Sequence, residues 1–143
     1  MSPNADFVRR LFEAFPRTQK GLREGTLEIG PPIAEAVVWD ASDLGLPDMG
    51  DGVVHGRDGV RRFWMSWLSA WEEISFDYEI FESGPNVLVE IHQRNRASTI
   101  TVTAHYTQVW TFENGEIVHF KLFMDPTAGF EAAGVEQPQD GAH

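Results

Sequence analysis

The apolar residues of this chain change period after the tryptophan-rich stretch, and that change limits what it can fold into. Val60, Phe63, Trp64, Trp67, Leu68 and Trp71 recur at i, i+3, i+4, i+7, i+8 and i+11, the stripe of one helix face. From Phe76 onward the recurrence is every second residue, which is the period of a strand. Phe76-Asp77-Tyr78-Glu79-Ile80 alternates, and Val87, Val89 and Ile91 share one face of the segment from Val87 to Gln93. Gly84-Pro85-Asn86 is the turn between the two. A long strand spans Thr99 to Phe112, with Ile100, Val102, Ala104, Tyr106, Gln108, Trp110 and Phe112 on one face and mostly threonine on the other.

In the last strand Val118, Phe120, Leu122 and Met124 alternate with His119 and Lys121. Parity chooses the connection into it. A two-residue Asn114-Gly115 turn pairs Val109 with Phe120 and Trp110 with His119, which mixes wet and dry faces. A three-residue loop with Gly115 in the left-handed conformation pairs Trp110 with Val118 and Gln108 with Phe120, and is the expected form.

Ahead of the tryptophan helix, Ser2 caps an opening helix, Pro3 suits its first position, and Phe7, Val8, Leu11, Phe12 and Phe15 form its stripe until Pro16 stops it. A short second helix is expected around Leu22 to Ile29. Ile33 to Ala41 reads as a strand with Ala36, Val38 and Asp40 on one face and Val37 and Trp39 on the other. Asp43 to Gly56 reads as loop, with Asp58 capping the tryptophan helix. After Pro126, Thr127 to Gly134 has room for a helical turn or two.

The order predicts an α+β fold, a cone-shaped, strongly curved antiparallel sheet wrapped by three helices. Residues 1–134 form one domain and residues 135–143 a flexible C-terminal tail. Five Trp and ten Phe in 143 residues either fill a core or line a cavity for an apolar ligand. A formal charge of −11 argues against nucleic acid or an anionic membrane as partner. No apolar run is long enough to span a membrane, and the N-terminus lacks the pattern of a secretory signal, so a cytoplasmic location is expected. With no cysteine, no HExxH and no close His pair, no metal is expected.

Asp40 is the most informative polar residue. If its face is the inner one, desolvation raises its pKa and equips it as a general base; at the strand end it equally caps the following turn through Ser42 or a backbone N–H. Tyr106 and Gln108 are polar atoms on a dry face and need partners or a ligand. Val38, His55, Phe63, Trp67, Tyr106, Trp110, Phe120, Leu122 and Met124 are the expected lining of a pocket for a small apolar molecule. His92, Arg94 and Arg96 fall on the outward face of their strand, and His105, with Thr103 and Thr107, on the outward face of theirs.

Val37-Val38-Trp39-Asp40, the run His55-Gly56-Arg57-Asp58-Gly59-Val60 with Phe63-Trp64, and Trp110-x-Phe112-x-x-Gly115-x-Ile117 resemble a nuclear transport factor 2-like domain of the SnoaL-like polyketide cyclase and ketosteroid isomerase-like branch. The resemblance covers roughly residues 4–134. It implies a hydrophobic pocket in a cone and, commonly, a homodimer through the outer sheet face. It implies a cofactor-independent isomerase or lyase acting beside a carbonyl, with Asp40 as base and Gln108 holding the enolate oxygen, or else a non-catalytic ligand-binding or dimerisation module. The oxyanion tyrosine and acid of the steroid isomerases are replaced here by Leu11 (or Phe12) and Gln108 (or Thr107).

Overall fold

A computed structural model describes residues 2–15, 20, 24, 32–45, 50–69 and 73–138. Helix α1 (Pro3–Glu13) begins as its sequence requires, with the Ser2 hydroxyl accepting from the Ala5 N–H at 3.1 Å and proline in the first turn. Strand β1 (Ile33–Asp40) follows, then a single 3-10 turn (Ser42–Leu44), a short strand β2 (Val53–His55) and the tryptophan helix α2 (Gly56–Ser69). Strands β3 (Glu73–Ser83), β4 (Asn86–Ala97), β5 (Ile100–Glu113) and β6 (Glu116–Phe123) lead to α3 (Pro126–Ala133). The short helix expected at Leu22 to Ile29, the stop at Pro16 and Trp71 lie outside the described residues.

The six strands form one curved sheet in the order β2-β1-β6-β5-β4-β3. Every neighbouring pair is antiparallel except β1 and β6, which run parallel, so the sheet is mixed rather than purely antiparallel. β2 lies within the segment expected to be loop and pairs Val53 with Asp40 and His55 with Val38. Helix α2 starts at Gly56, two residues before the expected cap, which puts Asp58 inside its first turn.

The inner face of the sheet carries the main core: Val37 and Trp39 from β1, Val87, Val89 and Ile91 from β4, Tyr106, Trp110 and Phe112 from β5, Phe120 and Leu122 from β6, with Val60 and Phe63 of α2 against them. The Trp39 ring stacks on Phe120 at 3.8 Å and meets Trp110 edge-on at 5.4 Å. On the outer face α3 covers a second cluster of Leu88, Val109, Phe130 and Ala133. Asp125 caps α3 by accepting from the Thr127 N–H at 3.1 Å, and Gly134 closes it at φ 75°. Val135, where the tail was expected to begin, still packs on this outer cluster, and its N–H donates to Phe130 O at 3.0 Å.

The β5–β6 hairpin corrects the expected register. Asn114 and Gly115 both have positive φ (52° and 79°) and make a two-residue turn that pairs Glu113 with Glu116. The pairing then steps by one residue between Phe112–Ile117 and Thr111–His119, which leaves Val118 as the extra residue of a bulge. Beyond it Trp110 pairs with Phe120 and Gln108 with Leu122, so the dry faces match. Asparagine tolerates the left-handed conformation well enough to make the tight turn, and the bulge absorbs the resulting parity error.

Candidate functional site

On the open side of the inner core, between α2 and the sheet, lies a cavity of about 160 Å³. Its apolar walls are Leu44 of the 3-10 turn, Phe63, Trp64 and Trp67 of α2, Val102 and Ala104 of β5, and Phe120, Leu122 and Met124 at β6. Its polar lining comes from two neighbouring strands: Gln93 and Asn95 on β4, Tyr106 and Gln108 on β5. All four of these are buried. For comparison, an apolar cavity of roughly 150 Å³ accommodates benzene.

Buried polar side chains must find partners, and here the partners set a direction. The Trp110 indole N–H, which can only donate, donates to Gln108 Oε1 at 3.1 Å. The Tyr106 hydroxyl donates to Gln93 Oε1, and Gln93 Nε2 in turn donates to Asn95 Oδ1 at 2.7 Å. Both oxygens of the terminal amides are therefore used. The NH₂ groups of Gln108 and Asn95 have no partner among the described residues. Burial pushes the Tyr106 phenol above its ordinary value near 10, so it stays protonated and donating. Among the described lining residues no carboxylate or imidazole is present.

Seven of the residues expected from sequence meet at this cavity: Phe63, Trp67, Tyr106, Gln108, Phe120, Leu122 and Met124. Trp110 is buried on the same face but supports Gln108 rather than lining the space. Val38, Asp40 and His55 do not line it. On β1 the buried residues are Ile33, Val37 and Trp39, so the face shared by Val38 and Asp40 is the outer one, and His55 is exposed on β2 beside Val38. The reason is area: burying an indole gains several kcal/mol (about 25 cal/mol per Å² over roughly 200 Å²), whereas turning Asp40 inward would desolvate a carboxylate.

Asp40 instead takes the capping role. Its Oδ1 accepts from the Ser42 hydroxyl at 2.6 Å and the Ser42 N–H at 3.0 Å, and its Oδ2 lies 3.4 Å from Lys121 Nζ on the adjacent strand. Burial raises its pKa, but the Ser42 bonds and the Lys121 ammonium outweigh that and hold it below the ordinary value near 3.8.

Gln93, Asn95, Val102, Ala104, Trp64 and Leu44 complete the lining and were not among the residues expected there. For Gln93 and Asn95 the signal was present: the parity that groups Val87, Val89 and Ile91 continues to both. Leu44 comes from a turn that carries no period.

A model of the SnoaL-like domain matches residues 8–120. A nuclear transport factor 2-like protein of unknown function from Burkholderia pseudomallei is 29% identical with a TM-score of 0.70, over 93% of this chain and 98% of that one. A protein with a ketosteroid isomerase-like fold from Catenulispora acidiphila, solved with trimethylamine, is 12% identical with a TM-score of 0.63, over 96% and 100%. TerC, crystallised with polyporic acid, is 22% identical with a TM-score of 0.58, over 85% and 95%. The last two show likeness of fold alone. No curated protein matches the chain.

Proposed function

Because the chain belongs to the SnoaL-like domain family of the nuclear transport factor 2-like superfamily, we propose that its cone binds a small, single-ring apolar molecule bearing an acceptor oxygen, such as a ketone, quinone or phenolate. The observation that carries this is the Trp110 N–H bond to Gln108 Oε1, which leaves the Gln108 NH₂ as a donor at the cavity. The Tyr106–Gln93–Asn95 chain ends the same way, on the Asn95 NH₂. The apolar walls supply affinity, and the two amide donors select for oxygen. A hydrocarbon of equal size leaves those donors unpaired.

Saturation-transfer NMR with acetophenone and its near-isostere ethylbenzene tests the proposal. A hydrogen bond worth about 1 kcal/mol favours the ketone by roughly fivefold. Gln108→Leu is expected to reduce that preference. Equal binding of the two compounds, or a preference undiminished in Gln108→Leu, would count against the assignment.

The alternative expected from sequence, proton abstraction next to the carbonyl by Asp40 in a cofactor-independent isomerase or lyase, requires that carboxylate to reach the ligand, whereas Asp40 stands on the outer face of β1 and does not line the cavity. The two readings part at Asp40→Asn: binding alone leaves ligand affinity unchanged, while the catalytic reading loses turnover of an enolisable ketone. The bonds from Ser42 and the Lys121 contact give Asp40 a structural role already, which favours the first reading.

A further inference from the structure

We propose that Glu90, His92 and His105 form a binding site for a divalent cation of borderline softness, with Zn²⁺ as its reference occupant, on the outer face of the sheet. His92 and His105 stand directly opposite each other on β4 and β5. Their rings stack with centroids 4.0 Å apart and planes 14° from parallel. Glu90 Oε2 lies 2.9 Å from His105 Nε2, and the candidate ligand atoms of all three side chains lie within 4.8 Å of one another.

A tetrahedral zinc with bonds of about 2.0–2.2 Å needs its ligand atoms roughly 3.3 Å apart. Imidazole binds a metal in its ring plane, so the two rings must rotate out of their stack to converge on one ion, about Cα positions that the paired strands hold. A histidine–glutamate ion pair by itself would use only His105 and Glu90. It leaves unexplained a second imidazole stacked on the first, which makes no hydrogen bond among the described residues.

The surrounding charge favours a dication. On β3, Asp77 stands opposite His92 and Glu79 opposite Glu90. Arg94, the next residue along this face of β4, is opposed by Ser75 and Thr103 and is the nearby countercharge on that strand. Three protein ligands leave a fourth position for water.

Isothermal titration of the metal-free protein with Zn²⁺, and with Mg²⁺ as a hard control, tests the site. One zinc per chain is expected, with magnesium silent. His92→Ala and His105→Ala are each expected to weaken zinc by more than about tenfold, since even the loss of a supporting residue costs that much. Co²⁺ substituted into the wild-type protein should give the intense visible bands of a tetrahedral ion, a readout that needs no variant. Absence of zinc binding in the submillimolar range, or affinity unchanged in both histidine variants, overturns the proposal.

Discussion

Helix α3 crosses β5 with Gly129 seated over Thr107, and a single methyl group there tests how the outer face is held together. A Cβ on Gly129 would stand 1.8 Å from Thr107 Oγ1 and 2.8 Å from Thr107 Cβ, with Phe123 Cδ1 at 3.5 Å. The hydroxyl can rotate away, but the Cβ cannot, since the backbone of β5 fixes it. Carbon atoms pack at about 3.5–4.0 Å, so α3 would have to lift by about an ångström. That movement loosens Phe130 and Ala133 from Leu88 and Val109, all of them buried. Overpacking of this kind costs up to about 3 kcal/mol. Replacing a helical glycine returns about 1 kcal/mol of propensity, for a net loss of about 2 kcal/mol in Gly129→Ala. With an m-value near 2 kcal/mol/M in urea, the unfolding midpoint followed by tryptophan fluorescence falls by about 1 M. An unchanged or raised midpoint refutes the reasoning, because it means that propensity outweighs contact and the helix sits loosely on the sheet. Thr107 offers the converse. Its Oγ1 is buried with no partner among the described residues, so Thr107→Val is expected to stabilise by about 1 kcal/mol in the same assay.

The depressed pKa of Asp40 ties it to acid stability. A carboxyl held below its unfolded value of about 3.9 stabilises the fold above that pH and loses its contribution as pH falls through the folded value. Asp40→Asn should therefore flatten the stability profile measured below about pH 5, and an unaltered profile would show that the Ser42 and Lys121 contacts contribute nothing. Gln108→Leu strands the Trp110 indole N–H and should cost about 1–3 kcal/mol in urea unfolding. Gln108→Glu restores an acceptor for that indole but presents oxygen in place of NH₂ at the cavity, so acetophenone binding should fall even in a folded protein. The homodimer expected through the outer sheet face is read by light scattering at twice the 16.1 kDa chain mass, and Thr103→Arg, which sets a charge beside Arg94, should shift it toward monomer.

Periodicity is a local property, and what it determined is local. The stripe of α2, the proline and serine at the start of α1, and the shared faces of β3, β4 and β5 were legible because each depends on residues a few positions apart. That is why Tyr106 and Gln108 could be placed together on a dry face, and why continuing the same parity would have reached Gln93 and Asn95. Alternation does not say which of two faces is buried when both carry apolar residues. β1 offered Ala36 and Val38 against Val37 and Trp39, and only packing against Phe120 and Phe63 turned Trp39 inward and Asp40 outward. Nor does it fix register: the Asn114-Gly115 turn and the bulge at Val118 offset each other, and the pairing of Trp110 with Phe120 follows only from their combination. His92 and His105 are remote in sequence, and no motif joins them. The β4–β5 register alone stacks their rings, because strand pairing brings together residues whose separation along the chain carries no information about their separation in space.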